Sequence, residues 1–345
     1  LSESGANTFG SLTINSGGTY NATSGTTTIT DDTSDDYLIK NAGTFTHNSG
    51  TVVFDSANGV LVTFGGDYLN DLTITNAGGG CRWKDNALIA GDLIIGAGES
   101  FRPEHDVTIN GSSAYLGPLY PQYVGAHTFG SLTINSGGEY KASYTTTTIT
   151  SEGDGAGGTD GFCFFNREGT FTHNNGTVKI TTPASTYMDA TNNIFYNLTV
   201  GLANGSGYDF NLINDGFTVL NDLTFGIGTK GGNFGVGGFN IDVLGTLHLA
   251  GTGYCYFNCG TETMNVNNVL LDSATMTNVR LNIQTCTFNV TSFRNMGTPV
   301  ATLGTNPIIF TGTGGIIEGD LGDADIDINT DAVLDFDKAD DYLDC

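Results

Sequence analysis

An eleven-residue stretch, TFGSLTINSGG, occurs twice in this chain without a single change, at 8–18 and at 128–138. The alignment extends outwards, so that residues 8–30 match residues 128–150. Further along, GTFTHNSGTV at 43–52 matches GTFTHNNGTV at 169–178. Internal self-similarity of this kind is typical of repeat architectures, in which each unit packs against its neighbours. We therefore expect the chain to be a stack of copies of one small unit.

A shorter motif inside the long repeat sets the size of that unit. It consists of a polar residue, Leu, then Thr or Ile, then an apolar residue, as in SLTI, DLTI and DLII. Its Leu, or a Val in its place, recurs at spacings close to multiples of twenty residues, so the 120-residue duplication would contain six units. We predict that these positions are equivalent and buried: Leu12, Val52, Leu72, Leu93, Leu132, Val178, Leu198 and Leu223.

The motif alternates as a β-strand does, with Leu12 and Ile14 on one face and Ser11, Thr13 and Asn15 on the other. Segments rich in Gly and Asn, such as NSGG and HNSG, separate the motifs and can form tight corners. This pattern favours an all-β fold, a right-handed parallel β-helix (β-solenoid) with about twenty residues per coil. A β-sandwich or a propeller would instead need turn signals roughly every 8 to 12 residues, or repeats of about 40 residues or more.

The repeats divide the chain into three blocks. Residues 1–126 form the first β-solenoid block, residues 127–250 form the second, and residues 251–345 form a degenerate continuation that ends in an acidic strand. The offset between the two copies grows from 120 to 126 residues because the Gly-rich segment SEGDGAGGTDG is inserted in the second. We expect this insertion to be a surface loop.

The net charge of the chain limits the classes of partner that it can bind. Eleven Lys and Arg residues stand against 36 Asp and Glu residues, which gives a formal net charge of -25 at pH 7. Such a field repels nucleic acid and anionic lipid surfaces, and no run of eighteen apolar residues is present to span a membrane. We therefore expect no nucleic-acid partner and no membrane insertion, and we expect cations, neutral glycans or other proteins as partners.

The cysteines are scattered along the chain, which favours buried small apolar residues over a disulfide framework. The segment CYFNC at 255–259 has no further Cys or His at a spacing that would suit zinc, which argues against a structural metal there. The six cysteines are Cys81, Cys163, Cys255, Cys259, Cys286 and Cys345.

The segments GTFTHNNGTV and FYNLTV, with the frame SLTINSGG…TTTIT, resemble the repeats of a known class of surface protein. That class comprises long, acidic, Thr- and Asn-rich β-solenoid proteins of environmental bacteria and marine bacteriophages, and the likeness covers roughly the first 250 residues. The resemblance implies a repetitive β-rich protein on the exterior of a cell or virion. It implies no catalytic residue.

Enzymes that cleave polysaccharides on a parallel β-helix need two opposed carboxylates, or a basic residue beside calcium-binding acids. The best candidate is the segment RPEHD, in which Glu104, His105 and Asp106 follow Arg102 closely. Its two acids are neighbours in one segment rather than an evident opposed pair, so we favour a solvated loop. We therefore expect that the chain is not an enzyme.

The histidines His47 and His173 both lie in the repeated FTHN segment. A catalytic group is needed once, whereas a residue copied with its repeat usually serves the geometry of that repeat. We interpret both histidines as corner residues.

The acidic C-terminal segment contains the candidate metal ligands. Strict alternation places Asp323, Asp325 and Asp327 on one face of a predicted strand. Adjacent carboxylates repel each other, and a hard cation such as calcium would relieve that repulsion. The sequence thus indicates a speculative calcium site and no other cofactor, while the favoured interpretation is a solvated acidic face that keeps the chain soluble.

These features favour an extracellular structural and adhesive β-solenoid of a virion or cell surface, such as part of a phage fibre, spike or similar appendage. The alternatives are a bacterial cell-surface adhesin or filament or sheath protein and, from a different class, a polysaccharide-degrading tailspike enzyme. Outward hydroxyl and amide groups suit weak multivalent contacts with cell-surface glycans. The first repeat begins within eight residues of Leu1, which leaves no room for a cap. We therefore expect neighbouring copies of the chain or adjacent appendage subunits to cover that end.

Overall fold

A computed structural model of the chain describes residues 5–30, 37–77, 80–96, 101–103, 107–115, 118–119, 126–134, 139–150, 162–166, 169–183, 185–190, 193–202, 209–226, 233–250, 255–272, 279–282, 286–295, 308–310, 313–318, 326–328 and 333–335. All regular structure in these residues is β-strand. Among them, no helix is long and apolar enough to cross a membrane.

The strands are short, as the sequence pattern predicts. Strands up to Thr172 are β1 (Asn7–Phe9), β2 (Leu12–Ile14), β3 (Thr19–Asn21), β4 (Thr26–Ile29), β5 (Tyr37–Asn41), β6 (Thr44–Thr46), β7 (Thr51–Ser56), β8 (Val60–Thr63), β9 (Asp71–Ala77), β10 (Cys81–Trp83), β11 (Ala87–Ile89), β12 (Leu93–Ile95), β13 (Phe101–Pro103), β14 (Val107–Tyr115), β15 (Pro118–Leu119), β16 (His127–Ile134), β17 (Glu139–Lys141), β18 (Thr146–Ile149), β19 (Phe162–Asn166) and β20 (Thr170–Thr172). Strands after Thr172 are β21 (Thr177–Thr182), β22 (Thr186–Asp189), β23 (Ile194–Phe195), β24 (Asn197–Leu202), β25 (Asp209–Leu212), β26 (Phe217–Val219), β27 (Leu223–Phe225), β28 (Asn233–Gly235), β29 (Ile241–Ala250), β30 (Cys255–Asn258), β31 (Thr263–Asp272), β32 (Val279–Asn282), β33 (Thr287–Asn295), β34 (Ile308–Phe310), β35 (Thr313–Glu318), β36 (Ile326–Ile328) and β37 (Val333–Asp335).

The chain divides into two compact units. The first covers Leu1–Asp154 and Cys163–Gly176, and the second covers Gly155–Phe162 and Thr177–Cys345. Each unit is a stack of coils, a coil being one turn of a solenoid. Within each unit the strands pair in parallel with strands of the preceding and following coils.

The first unit shows this stacking in a ladder of paired residues. Successive members are 19 to 25 residues apart, except the last two, which are 32 residues apart across the Gly-rich insertion. The ladder runs through Thr27, Val52, Leu72, Leu93, Ser113, Leu132 and Phe164. A second sheet of this unit contains β2, β5, β8, β10, β13, β15, β17 and β20.

The second unit has a corresponding ladder with coils of 20 to 25 residues. It runs through Val178, Leu198, Leu223, Leu247, Val269, Phe293 and Ile317. The predicted parallel β-solenoid is therefore confirmed. The predicted coil of about twenty residues is a little short for this unit, in which most coils contain 22 to 25 residues.

Most of the predicted equivalent positions are buried, but one is not. Seven of the eight side chains are at most 2% exposed, whereas Leu12 is half-buried. Leu12 lies in β2, where it pairs with Ile39 in the second sheet. Its counterpart Leu132 lies in the continuous strand β16, which pairs along most of its length with β14. The repeated segment thus contributes to two strands in the first copy, whereas its first seven residues, Thr128 to Ile134, lie in a single strand in the second.

Aromatic side chains fill the interior in stacks along successive coils. In the first unit, adjacent ring centroids are 4.9 to 5.8 Å apart through Phe9, Tyr20, Phe45, Phe64, Trp83 and Phe101. Phe9 and Tyr20 belong to one coil, and the other rings follow on successive coils. In the second unit, Phe234 stacks between Phe210 and Phe257 at 5.1 and 4.8 Å. Each such ring pair contributes about 0.5 to 1.5 kcal/mol beyond its burial, so these stacks hold neighbouring coils in register.

Candidate functional site

A depression on the outer face of the second unit is the candidate binding site. It has a volume of about 350 Å³ and is lined by Thr246, Asn268, Val269, Leu270, Thr291, Ser292 and Arg294. These residues lie on the adjacent strands β29, β31 and β33, so they come from three consecutive coils. The volume falls in the range of small-ligand pockets, roughly 300 to 1,000 Å³.

Strand register positions the polar groups of this depression. Thr246, Asn268 and Ser292 are directly paired along one row, and the Ser292 hydroxyl donates a hydrogen bond to Oδ1 of Asn268. In the neighbouring row, Leu270 is paired with Arg294, whose side chain is exposed. The site therefore combines hydroxyl, amide and guanidinium groups with an apolar surface. This mixture suits a sugar ring, which has hydroxyl groups at its edge and C–H groups on its faces.

Asparagine side chains connect consecutive coils beside this depression. Nδ2 of Asn265 donates to Oδ1 of Asp242, and Nδ2 of Asn289 donates to Oδ1 of Asn265, both at 2.7 Å. An amide suits such a row because it can donate to one coil and accept from the next. These outward groups therefore stabilise the stack itself.

Aspartates at the corners of the first unit have a similar structural role. The Asp85 carboxylate accepts hydrogen bonds from the backbone N–H groups of Phe64 and Gly65, both at 2.7 Å. The Asp67 carboxylate accepts from the backbone N–H of Phe45 at 2.6 Å and from Nδ2 of Asn41 at 2.8 Å. Each carboxylate thus anchors the corner of the preceding coil, and charge-assisted bonds of this kind are among the stronger ones.

The two repeated histidines lie at equivalent corners. Nδ1 of His47 accepts a hydrogen bond from the backbone N–H of Ser49, and Nδ1 of His173 accepts one from Asn175, both at 3.0 Å. The two residues after each histidine have φ values between 46° and 59°, a region in which Asn is enriched. Burial lowers the pKa of His173 from its ordinary value of 6.5. This geometry supports the predicted corner role for both residues.

A buried hydrogen-bond network in the second repeat was not anticipated from the sequence. The Tyr140 hydroxyl lies 2.9 Å from Nδ1 of His127 and 3.0 Å from Oγ1 of Thr147, and all three side chains are at most 1% exposed. Tyr and Thr occur at the equivalent positions of the first copy, where Asn7 replaces the histidine. One sequence feature could have indicated this network: His127 lies next to the aligned segment and occurs only in the second copy.

The residues predicted as metal ligands fall mainly outside the part of the chain that the structure describes. This holds for Asp323 and Asp325, whereas Asp327 lies in β36, opposite Ile309 of β34. Within the described ranges, no group of three or more His, Cys, Asp or Glu side chains could hold a metal ion.

The residues of the RPEHD segment are only partly described. Glu104, His105 and Asp106 lie outside the described residues, and Arg102 lies in β13, opposite Arg82 of β10. The structure therefore shows no geometry for this candidate catalytic group.

Four of the described cysteines are buried and form no disulfide, as predicted: Cys81, Cys163, Cys259 and Cys286. Burial raises the pKa of the Cys81 and Cys259 thiols. Cys255 lies in β30, and Cys345 lies outside the described residues.

Comparison of the chain with protein-family models, with curated proteins and with solved structures finds no match.

Proposed function

We propose that the chain is an extracellular structural and adhesive β-solenoid, part of a phage fibre, spike or similar surface appendage, that binds glycans on its outer face. The observation that carries this proposal is the depression formed by β29, β31 and β33. Its seven lining residues include three hydroxyl side chains, one amide and one guanidinium, and none carries a carboxylate. Such groups bind a sugar, but they do not supply the acid pair that a glycosidase needs.

The strands that carry the site favour rigid recognition. Thr246, Asn268 and Ser292 are fixed by parallel pairing on both sides of β31. Groups held in place before binding lose little entropy when a ligand arrives, so modest contacts can give useful affinity. Several weak sites on one assembly would then act together.

The net charge of -25 favours a neutral glycan over a polyanion. Arg294 provides local donors for sugar hydroxyl groups without changing that overall field. The proposed partners are thus neutral cell-surface glycans, together with neighbouring copies or adjacent subunits of the appendage. A cellular adhesin or a sheath protein would use the same surface, and immunolabelling of virions and of host cells distinguishes these sources.

The test is glycan binding by the intact chain, first on an array of neutral and acidic saccharides and then by calorimetry with the best ligand. We expect Asn268→Ala and Arg294→Ala each to weaken binding by about tenfold, or about 1.4 kcal/mol. Lys179→Ala is the matched control, because Lys179 occupies the same outward row at a distance of several coils. It should bind as the parent does.

Three results would contradict the proposal. If no saccharide binds, the adhesive role is wrong. If binding occurs but neither variant weakens it, the site is wrong. If the chain releases reducing sugar from a bound polysaccharide, it is an enzyme of the tailspike class.

A further inference from the structure

Two buried cysteines of the second unit lie on adjacent coils. Cys259 directly follows β30, Cys286 directly precedes β33, and each is 1% exposed. The flanking backbone fixes their relation, because β30 pairs with β32 and because Thr263 of β31 pairs with Thr287 of β33. The coil that contains Cys286 is therefore stacked directly on the coil that contains Cys259.

The two thiols belong to the same corner of two stacked coils. Asn258, next to Cys259, pairs with Asn282, and Thr287, next to Cys286, pairs with Thr263. Burial raises the pKa of Cys259, and the proximity of Cys286 adds to that effect. Cys81 is a useful contrast, since it is a fully buried free thiol and burial alone accounts for its raised pKa. Cys259 and Cys286 thus form a pair, whereas Cys81 is an ordinary buried thiol of the core.

We propose that Cys259 and Cys286 are a modification site, at which oxidation forms a disulfide that joins two adjacent coils. The reaction needs an oxidant, and a small-molecule disulfide supplies it. The two thiols lose two protons and two electrons, one S–S bond forms, and the oxidant disulfide is reduced to two thiols. This disulfide would form whether or not the chain binds glycans.

The bond should form while the chain folds rather than afterwards. Thiol–disulfide exchange requires a thiolate that the oxidant can reach. In the folded protein both sulfurs are shielded, and burial disfavours the thiolate of Cys259. In the unfolded chain both groups are accessible, and native folding then brings them together. Closing the segment between them also restricts the unfolded chain, which stabilises the folded state.

The experiment is refolding of the full chain with a mixture of oxidised and reduced glutathione, followed by alkylation and non-reducing peptide mapping. We expect one peptide pair linked through Cys259 and Cys286, with Cys81 alkylated. We also expect the oxidised form to melt a few degrees above the same protein after reduction. Cys286→Ser should abolish this difference, and Cys81→Ser should retain it.

The peptide map of the parent chain tests the link between Cys259 and Cys286 even if a variant fails to fold. Alkylation of both Cys259 and Cys286 after oxidative refolding would overturn the proposal. A bond between Cys255 and Cys259, or any other pairing of Cys259, would do the same.

Discussion

Tyr20 and Tyr140 occupy the same position in the two copies of the repeat, but their hydroxyl groups differ in their contacts. The Tyr140 hydroxyl is bonded to His127 and Thr147. The hydroxyl groups of Tyr20 and Thr27 are buried, and neither has a hydrogen-bond partner among the described residues. A buried polar group without a partner costs about 1 to 3 kcal/mol. Replacing Tyr by Phe should therefore affect the free energy of unfolding differently at Tyr20 and at Tyr140.

We expect Tyr140→Phe to lower the free energy of unfolding by about 1 to 3 kcal/mol, because it leaves His127 and Thr147 without their shared partner. Tyr20→Phe should be neutral or stabilising, because it removes a hydroxyl that forms no bond. Both residues belong to the first unit, so denaturant unfolding of that unit compares them directly. Equal losses in the two variants would show that the network contributes nothing.

His173 gives a prediction about pH. Its Nδ1 accepts the backbone N–H of Asn175, which only an unprotonated nitrogen can do. Burial lowers the pKa of His173 below 6.5, so the folded state binds the proton more weakly than the unfolded state. The resulting stability is complete above pH 6.5 and is lost as the pH falls through the folded pKa. An NMR titration of the ring should show a midpoint below 6.5, and a midpoint at or above that value would contradict this account.

At the scale of strands and coils, hydrophobic periodicity was sufficient to predict the fold. A Leu or Val that recurs near every twentieth residue must face a common interior, and seven of these eight side chains are buried. Periodicity could not show that β1 and β2 separate after Phe9 while the identical residues of β16 remain one strand. That difference accompanies a difference in pairing: β16 pairs along most of its length with β14, whereas β1 pairs with β4 and β2 pairs with β5.

The candidate site was harder to predict than the fold. Thr246, Asn268 and Ser292 are adjacent only because three long strands align, and each is an ordinary polar residue in its own segment. Asn268 and Ser292 also lie in the part of the chain where the repeat motif has degenerated. Register in this region could not be assigned from sequence identity, so the depression was not foreseen.

The split between β1 and β2 gives a prediction about the core. We expect Leu72→Ala to cost about 2 to 5 kcal/mol, because Leu72 is fully buried between Val52 and Leu93. Leu12→Ala should cost clearly less, because its partly exposed side chain loses less apolar contact. Denaturant unfolding of the two variants measures the difference. If Leu12→Ala lowers the free energy of unfolding as much as Leu72→Ala does, the side chain of Leu12 is buried like those of the ladder that contains Leu72.

At the scale of the whole molecule, the dominant quantity is its charge. Some carboxylates, such as those of Asp67 and Asp85, accept hydrogen bonds from backbone N–H groups at corners. The chain nevertheless has 36 acidic residues and only 11 Lys and Arg. Copies of the chain should therefore repel one another at neutral pH, over a distance that salt controls.

This repulsion predicts how self-association responds to pH and salt. At pH 7 and about 0.01 M salt the screening length is about 30 Å, so copies with a formal charge of -25 should remain apart. At about 0.15 M salt the screening length falls to about 8 Å, and association should increase. It should increase further as the pH falls towards the sequence pI of 4.1, where the net charge vanishes. Sedimentation velocity over this grid of pH and salt measures the effect. Association that is strongest at pH 7 and low salt would instead mean that attraction between charged surfaces of neighbouring copies outweighs their net repulsion.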